Sequence, residues 1–177
     1  MCQYITLTLP KDTDLESIKP VFEKFGLTQK VIHNQFVEEQ IRKKDYYISS
    51  TSNMCDCGSV IASNSKQLST DQRYKSDIQR MKKKGWSDTK INRWIEQKQN
   101  GVHDKELLED NNRWTSFIQE ITNEKQVVRV GILIHWYSLG LEEEKIEIKE
   151  IQNIKVDAIT EDTLEKLDYD KMYYFIK

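Results

Sequence analysis

The stretch QVVRVGILIHWYS, residues 126–138, constrains the fold more than any other. Val128, Val130, Ile132, Ile134 and Trp136 alternate with Arg129, Gly131, Leu133, His135 and Tyr137. β-branched and aromatic residues at period two read as a strand. Both sets are largely apolar, so the strand belongs in the middle of a sheet covered on both faces. The run is too short to cross a bilayer, and Arg129 and His135 interrupt it.

Other segments supply partners for that strand. In CQYITLTLP, residues 2–10, Ile5, Leu7 and Leu9 share one face, while Cys2, Tyr4, Thr6 and Thr8 share the other. DYYISST at 45–51 reads as a strand, EKIEIKEI at 144–151 alternates, and KMYYFIK at 171–177 closes the chain. Between them, DTDLESIKPVFEKFG at 12–26 spaces Leu15, Ile18, Phe22 and Phe25 as one helical stripe. Asp12 and Asp14 are cap candidates, Gly26 the stop, and Pro20 implies a first-turn position or a kink. KVIHNQFVEEQI at 30–41 fits a short strand followed by a turn or helix, and TEDTLEKLD at 160–168 a short helix.

Residues 66–125 read differently. Tyr74, Ile78 and Met81 form one helical stripe; Gly85 ends it and Ser87 caps a second helix bearing Ile91, Trp94 and Ile95. Gly101 precedes a third, with Leu107, Trp114, Phe117, Ile118 and Ile121. The expectation is one α+β domain over 1–177, with a mainly antiparallel central sheet and a helical insertion at 66–125. The four tryptophans, Trp86, Trp94, Trp114 and Trp136, are expected as core anchors. A chain of 177 residues buries enough surface to need no disulfide.

The net charge of −2 implies no global attraction to nucleic acid or membrane. Its distribution is uneven. Residues 66–98 hold ten Lys and Arg against four acids, and residues 141–177 eleven acids against six Lys. The helical pair around Gly85 has the form of a helix-turn-helix reader, with Lys90 and Arg93 on the outer face and Lys82, Lys83 and Lys84 available to phosphates. The commoner alternative is an amphipathic hairpin with solvated lysines, and Asp88 and Glu96 weaken the field.

Three cysteines remain: Cys2, and the pair Cys55 and Cys57 in SSTSNMCDCGSV at 49–60. No export signal is read at the N-terminus, so reduced thiols in a cytoplasm are expected. A Cys55–Cys57 disulfide would close a strained ring. A zinc site needs about four thiolate or imidazole ligands. Cys2 opens one strand and Cys55 and Cys57 follow another, so the three are expected to converge at one sheet end, with His135 as the preferred fourth ligand and His33 as the other candidate. Gly58 lets the turn after Cys57 fold back. The expected function is a zinc-containing binding or regulatory module, with a protein or nucleic-acid partner and no membrane association.

A second reading makes Cys2 a nucleophile activated by its own α-amine once Met1 is removed. In its opening Met-Cys the chain resembles the class II glutamine amidotransferases, which implies Cys2 as the attacking thiol of a thiol-dependent hydrolase or amidotransferase. The resemblance covers two residues, and the Asn34 and Asn53 contexts depart from the family's downstream Asn-Gly pattern. There is no glycine-rich phosphate loop, no G-x-S-x-G elbow and no H-E-x-x-H motif.

Overall fold

The computed structural model describes residues 2–52, 54–62, 75–99 and 102–177. The fold is α+β around a six-stranded, mostly antiparallel sheet. In chain order the described elements are β1 (Cys2–Pro10), α1 (Leu15–Lys24), β2 (Lys30–Val31), α2 (Gln35–Glu38), β3 (Asp45–Ser49), α3 (Lys75–Lys83), α4 (Asp88–Gln99) and α5 (Val102–Asn123). Then come β4 (Arg129–Tyr137), β5 (Glu150–Lys155), a 3₁₀ turn (Val156–Ala158), α6 (Glu161–Glu165) and β6 (Lys171–Ile176). Strand order is β2-β3-β1-β4-β6-β5, and only β5 and β6 run parallel. The chain divides into two compact units, one of residues 1–63 and 111–177, the other of residues 64–110.

β1 and β4 form the centre of the first unit, paired from Cys2 opposite Tyr137 to Thr8 opposite Gly131. Period two sorts the sheet into two faces. One carries Tyr4, Tyr47, Leu133, Tyr137, Met172 and Tyr174, packed with Ile32, Val37, Ile41 and Ile146. The other carries Ile5, Leu7, Leu9, Ile48, Val130, Ile132, Ile134 and Phe175, all essentially inaccessible. The apolar doubling of 127–137 therefore reflects a strand covered on both sides.

Gly131 has a specific reason to be glycine. A Cβ there would lie 2.2 Å from Thr8 Oγ1 and about 3 Å from the Tyr174 ring and Met172 sulfur, closer than any carbon can pack. Helix α1 is capped by Asp14, which accepts from the Glu16 N–H, and ends before Gly26 at φ +65°. Pro20 lies within α1, beyond its first turn. Phe22 and Phe117 meet edge to face at 5.1 Å, and Phe25 and Trp114 also stack against Phe117. Trp114 is buried and donates to Ser59 Oγ at 3.0 Å.

Two expectations need correction. EKIEIKEI is not one strand: 145–149 lies outside the strand ladder and β5 begins at Glu150. Its alternation is nevertheless real, because Ile146 and Ile148 pack on the sheet core. The side chain of Gln40 replaces a neighbouring strand, donating to the Ile146 carbonyl at 2.6 Å and accepting from the Ile148 N–H at 2.8 Å. Buried Asn34 similarly donates to the carbonyls of Leu141 and Glu144 while capping α2. Trp136, expected in the core, is 44% exposed near the end of β4.

In the second unit, α3 ends before Gly85 at φ +75°, and Ser87 Oγ accepts from the Lys90 N–H. Met81, Ile91 and Ile95 form a small buried cluster, flanked by Ile78, Trp86 and Trp94. The expected insertion at 66–125 and this unit at 64–110 end at different points: Trp114, Phe117, Ile118 and Ile121 of α5 belong to the first unit. Tyr74 and the side chain of Leu107 lie outside the described residues. Among the described residues, no helix is long and apolar enough to cross a membrane.

Candidate metal centre

β3 leaves the edge of β1 after Ser49 pairs with Thr6. That would orphan the backbone groups of Gln3 and Ile5 along the same edge. Ser50, Thr51, Met54 and Asp56 of the following loop fill the vacancy. Ser50 Oγ donates to the Ile5 carbonyl at 2.7 Å. The Asp56 N–H donates to the Gln3 carbonyl at 2.9 Å, and the Asp56 carboxylate accepts from the Ile5 N–H at 2.8 Å and from the Thr51 hydroxyl. Tyr4 OH reaches the Met54 carbonyl at 2.8 Å. Asp56 thus serves as a false strand residue, and it carries a cysteine on either side.

This docking brings the three sulfurs together. The ligand atoms of Cys2, Cys55 and Cys57 all lie within 4.8 Å of one another. Around a tetrahedral zinc with bonds of about 2.3 Å, sulfurs sit about 3.8 Å apart. A contraction of at most about 1 Å would close the group on an ion. All three thiols are free; Cys2 and Cys55 are half-buried and Cys57 is exposed.

The local electrostatics suit a cation. The Cys57 N–H and side chain donate to Cys55 and hold its thiol below the ordinary range. The Gln3 N–H donates to Cys57 Sγ at 3.4 Å, yet burial and the neighbouring thiols push Cys57 upward. Tyr4 is raised by burial, then by Cys2, Cys55, Asp56 and Cys57. Negative groups that hinder each other's ionisation are those a bound cation would relieve.

His135 is not in this group. It stands on β4 opposite Tyr4, on the same sheet face as Cys2 and Tyr137. Tyr4 and Tyr137 meet edge to face at 5.4 Å across the diagonal between Cys2 and His135. The imidazole instead packs on Tyr137, with Nδ1 2.5 Å from Asp170 Oδ1 and Nε2 3.9 Å from Glu144 Oε1. Asp170, at φ +60°, also accepts from Lys149 Nζ at 2.7 Å. Burial opposes ionisation of Asp170, but the hydrogen bonds from Lys149 and His135 outweigh it and hold the carboxyl below its usual range. His33 is exposed, with Nδ1 3.1 Å from Glu38 Oε1.

The residues of the nucleic-acid reading sit in the second unit. Lys82, Lys83 and Lys84 follow one another at the end of α3, and Lys90 and Arg93 lie on α4, all exposed. Lys82 pairs with Asp88 at 3.2 Å, and Lys90 lies 4.1 Å over the Trp86 ring. Two of the five thus have partners within their own unit.

Asp56 and Asp170 were not singled out by sequence reasoning. Asp56 had a usable signal, a carboxylate between two cysteines in a turn. Asp170 had none, because its partner His135 is 35 positions away. Comparison with protein-family models, with curated proteins and with solved structures found no match.

Proposed function

We propose that the chain is a zinc-binding module in which Cys2, Cys55 and Cys57 hold the ion as thiolates, and that the metal acts structurally. The observation that carries this reading is the convergence of all three sulfurs within 4.8 Å. They come from segments more than 50 residues apart, and the chain contains no other cysteine. Thiolates select zinc, monovalent copper or iron–sulfur clusters, and of these zinc needs no redox partner or assembly chemistry. The ion would tie the start of β1 to the loop after β3, along the edge that β3 no longer pairs. Its binding energy would then be folding energy for that corner. The module would act through binding or regulation of a partner.

Elemental analysis of protein purified without chelator tests this directly, alongside thiol titration before and after chelation. The expected result is close to one zinc per chain, with all three thiols becoming reactive only when zinc is withdrawn. Less than about 0.2 equivalents of any transition metal would overturn the reading.

A further inference from the structure

We infer that a zinc ion held here keeps an exchangeable fourth position, and that this position takes a neutral nitrogen donor of the imidazole class from outside the group. The inference rests on the metal reading above and concerns what completes the site.

A tetrahedral zinc takes four ligands, so three protein thiolates leave one position to be completed, and the ion can tie the corner together while that position exchanges. Among the described residues, only the three cysteine sulfurs gather here. His135, on the same sheet face, is not among the gathered ligands and lies across the Tyr4–Tyr137 contact. Tyr4 OH is committed to the Met54 carbonyl. Cys57 is exposed and Met54 is 90% exposed, so the site is reached from solvent.

Charge selects the ligand. Three thiolates around a divalent ion leave the complex with one net negative charge, and the Asp56 carboxylate stands between Cys55 and Cys57 in the same loop. A carboxylate, a second-sphere anion or hydroxide is repelled, while a neutral imidazole nitrogen is not.

The test uses the full chain loaded with Co(II), whose thiolate charge-transfer and d–d bands report ligand type and number. Imidazole, then acetate, is titrated in. The expected result is a saturable shift of the d–d bands with imidazole, one bound per Co(II), with the charge-transfer intensity retained and acetate without effect. Bands that do not move with imidazole would overturn the open position. An equal response to acetate would overturn the preference for a neutral donor. A response seen only after His135→Ala would assign the fourth position to that histidine and overturn the inference. Absence of any thiolate charge-transfer band would remove the metal reading itself, a failure distinct from the others.

Discussion

The two compact units obtain order by different means. In the sheet unit, β1 and β4 are covered on both faces, and side chains such as Ile5, Leu7, Ile132 and Phe117 are wholly inaccessible. Among the described residues of the unit 64–110, Met81, Ile91 and Ile95 form a buried cluster, with Trp86 and Trp94 partly covered. The first is held by long-range strand pairing and dense packing. Among its described residues the second shows helix caps, a small cluster and contacts such as Lys90 over Trp86. Chemistry follows this division. A site whose atoms must stay within ångströms needs a rigid frame; Cys2 stands on β1, and the loop of Cys55 and Cys57 is docked on that strand through Asp56. The basic residues 82–84, 90 and 93 sit on the second unit and are exposed.

Removing a core side chain from each unit is the strongest way to break this contrast. Phe117→Ala is expected to destabilise by about 4 kcal/mol, with hydrogen exchange rising across β1 and β4 and unchanged in 75–99. Ile91→Ala is expected to cost about 2 kcal/mol, with the opposite exchange pattern. Equal loss of protection in both regions from either variant would end the two-unit description. Arg129→Ala comes next. Arg129 pairs with the buried carboxylate of Asp45, and removing one partner of such a pair costs about 3 kcal/mol. Urea midpoints would show it, and Asp45→Asn should recover part of the loss in the double variant.

Metal sharpens the contrast further. Zinc at a hundredfold excess over its dissociation constant should add about 2.7 kcal/mol to the sheet unit, seen as a higher melting temperature that chelator reverses. Cys57→Ser should abolish the effect, and residues 75–99 should keep their exchange rates throughout. Acid should also act on the sheet unit. The Asp170 carboxyl is held below its ordinary range, so its contribution is present above that range and lost as pH falls through the folded-state value. Melting temperature should drop below about pH 4, and Asp170→Asn should flatten that limb. The smallest effect is expected from Lys83→Glu with Lys84→Glu, within about 0.5 kcal/mol each. A larger change would mean that these side chains do more in the fold than their exposure suggests.

Much of this was readable from local pattern. Period-two alternation placed the faces of β1 and β4, helical spacing found α1, α3 and α4, and Asp14, Gly26, Gly85 and Ser87 marked ends. Local pattern failed where a side chain took over a backbone's task. Gln40 satisfies the groups of Ile146 and Ile148 from over 100 positions away, so an alternating segment lies on the core without joining the sheet. Trp136 alternates correctly, yet sits where the sheet runs out of cover.

The sequence by itself determined most of the secondary structure, the two-faced central strand and the set of three thiols, because these depend on residue type and spacing. Which thiols meet was decided only by tertiary structure. Register sets Cys2 opposite Tyr137, Asp56 docks its loop on the free edge of β1, and the tyrosine pair stands between Cys2 and His135. Distances between remote residues follow from pairing and packing of the whole sheet, and no short stretch of chain encodes them.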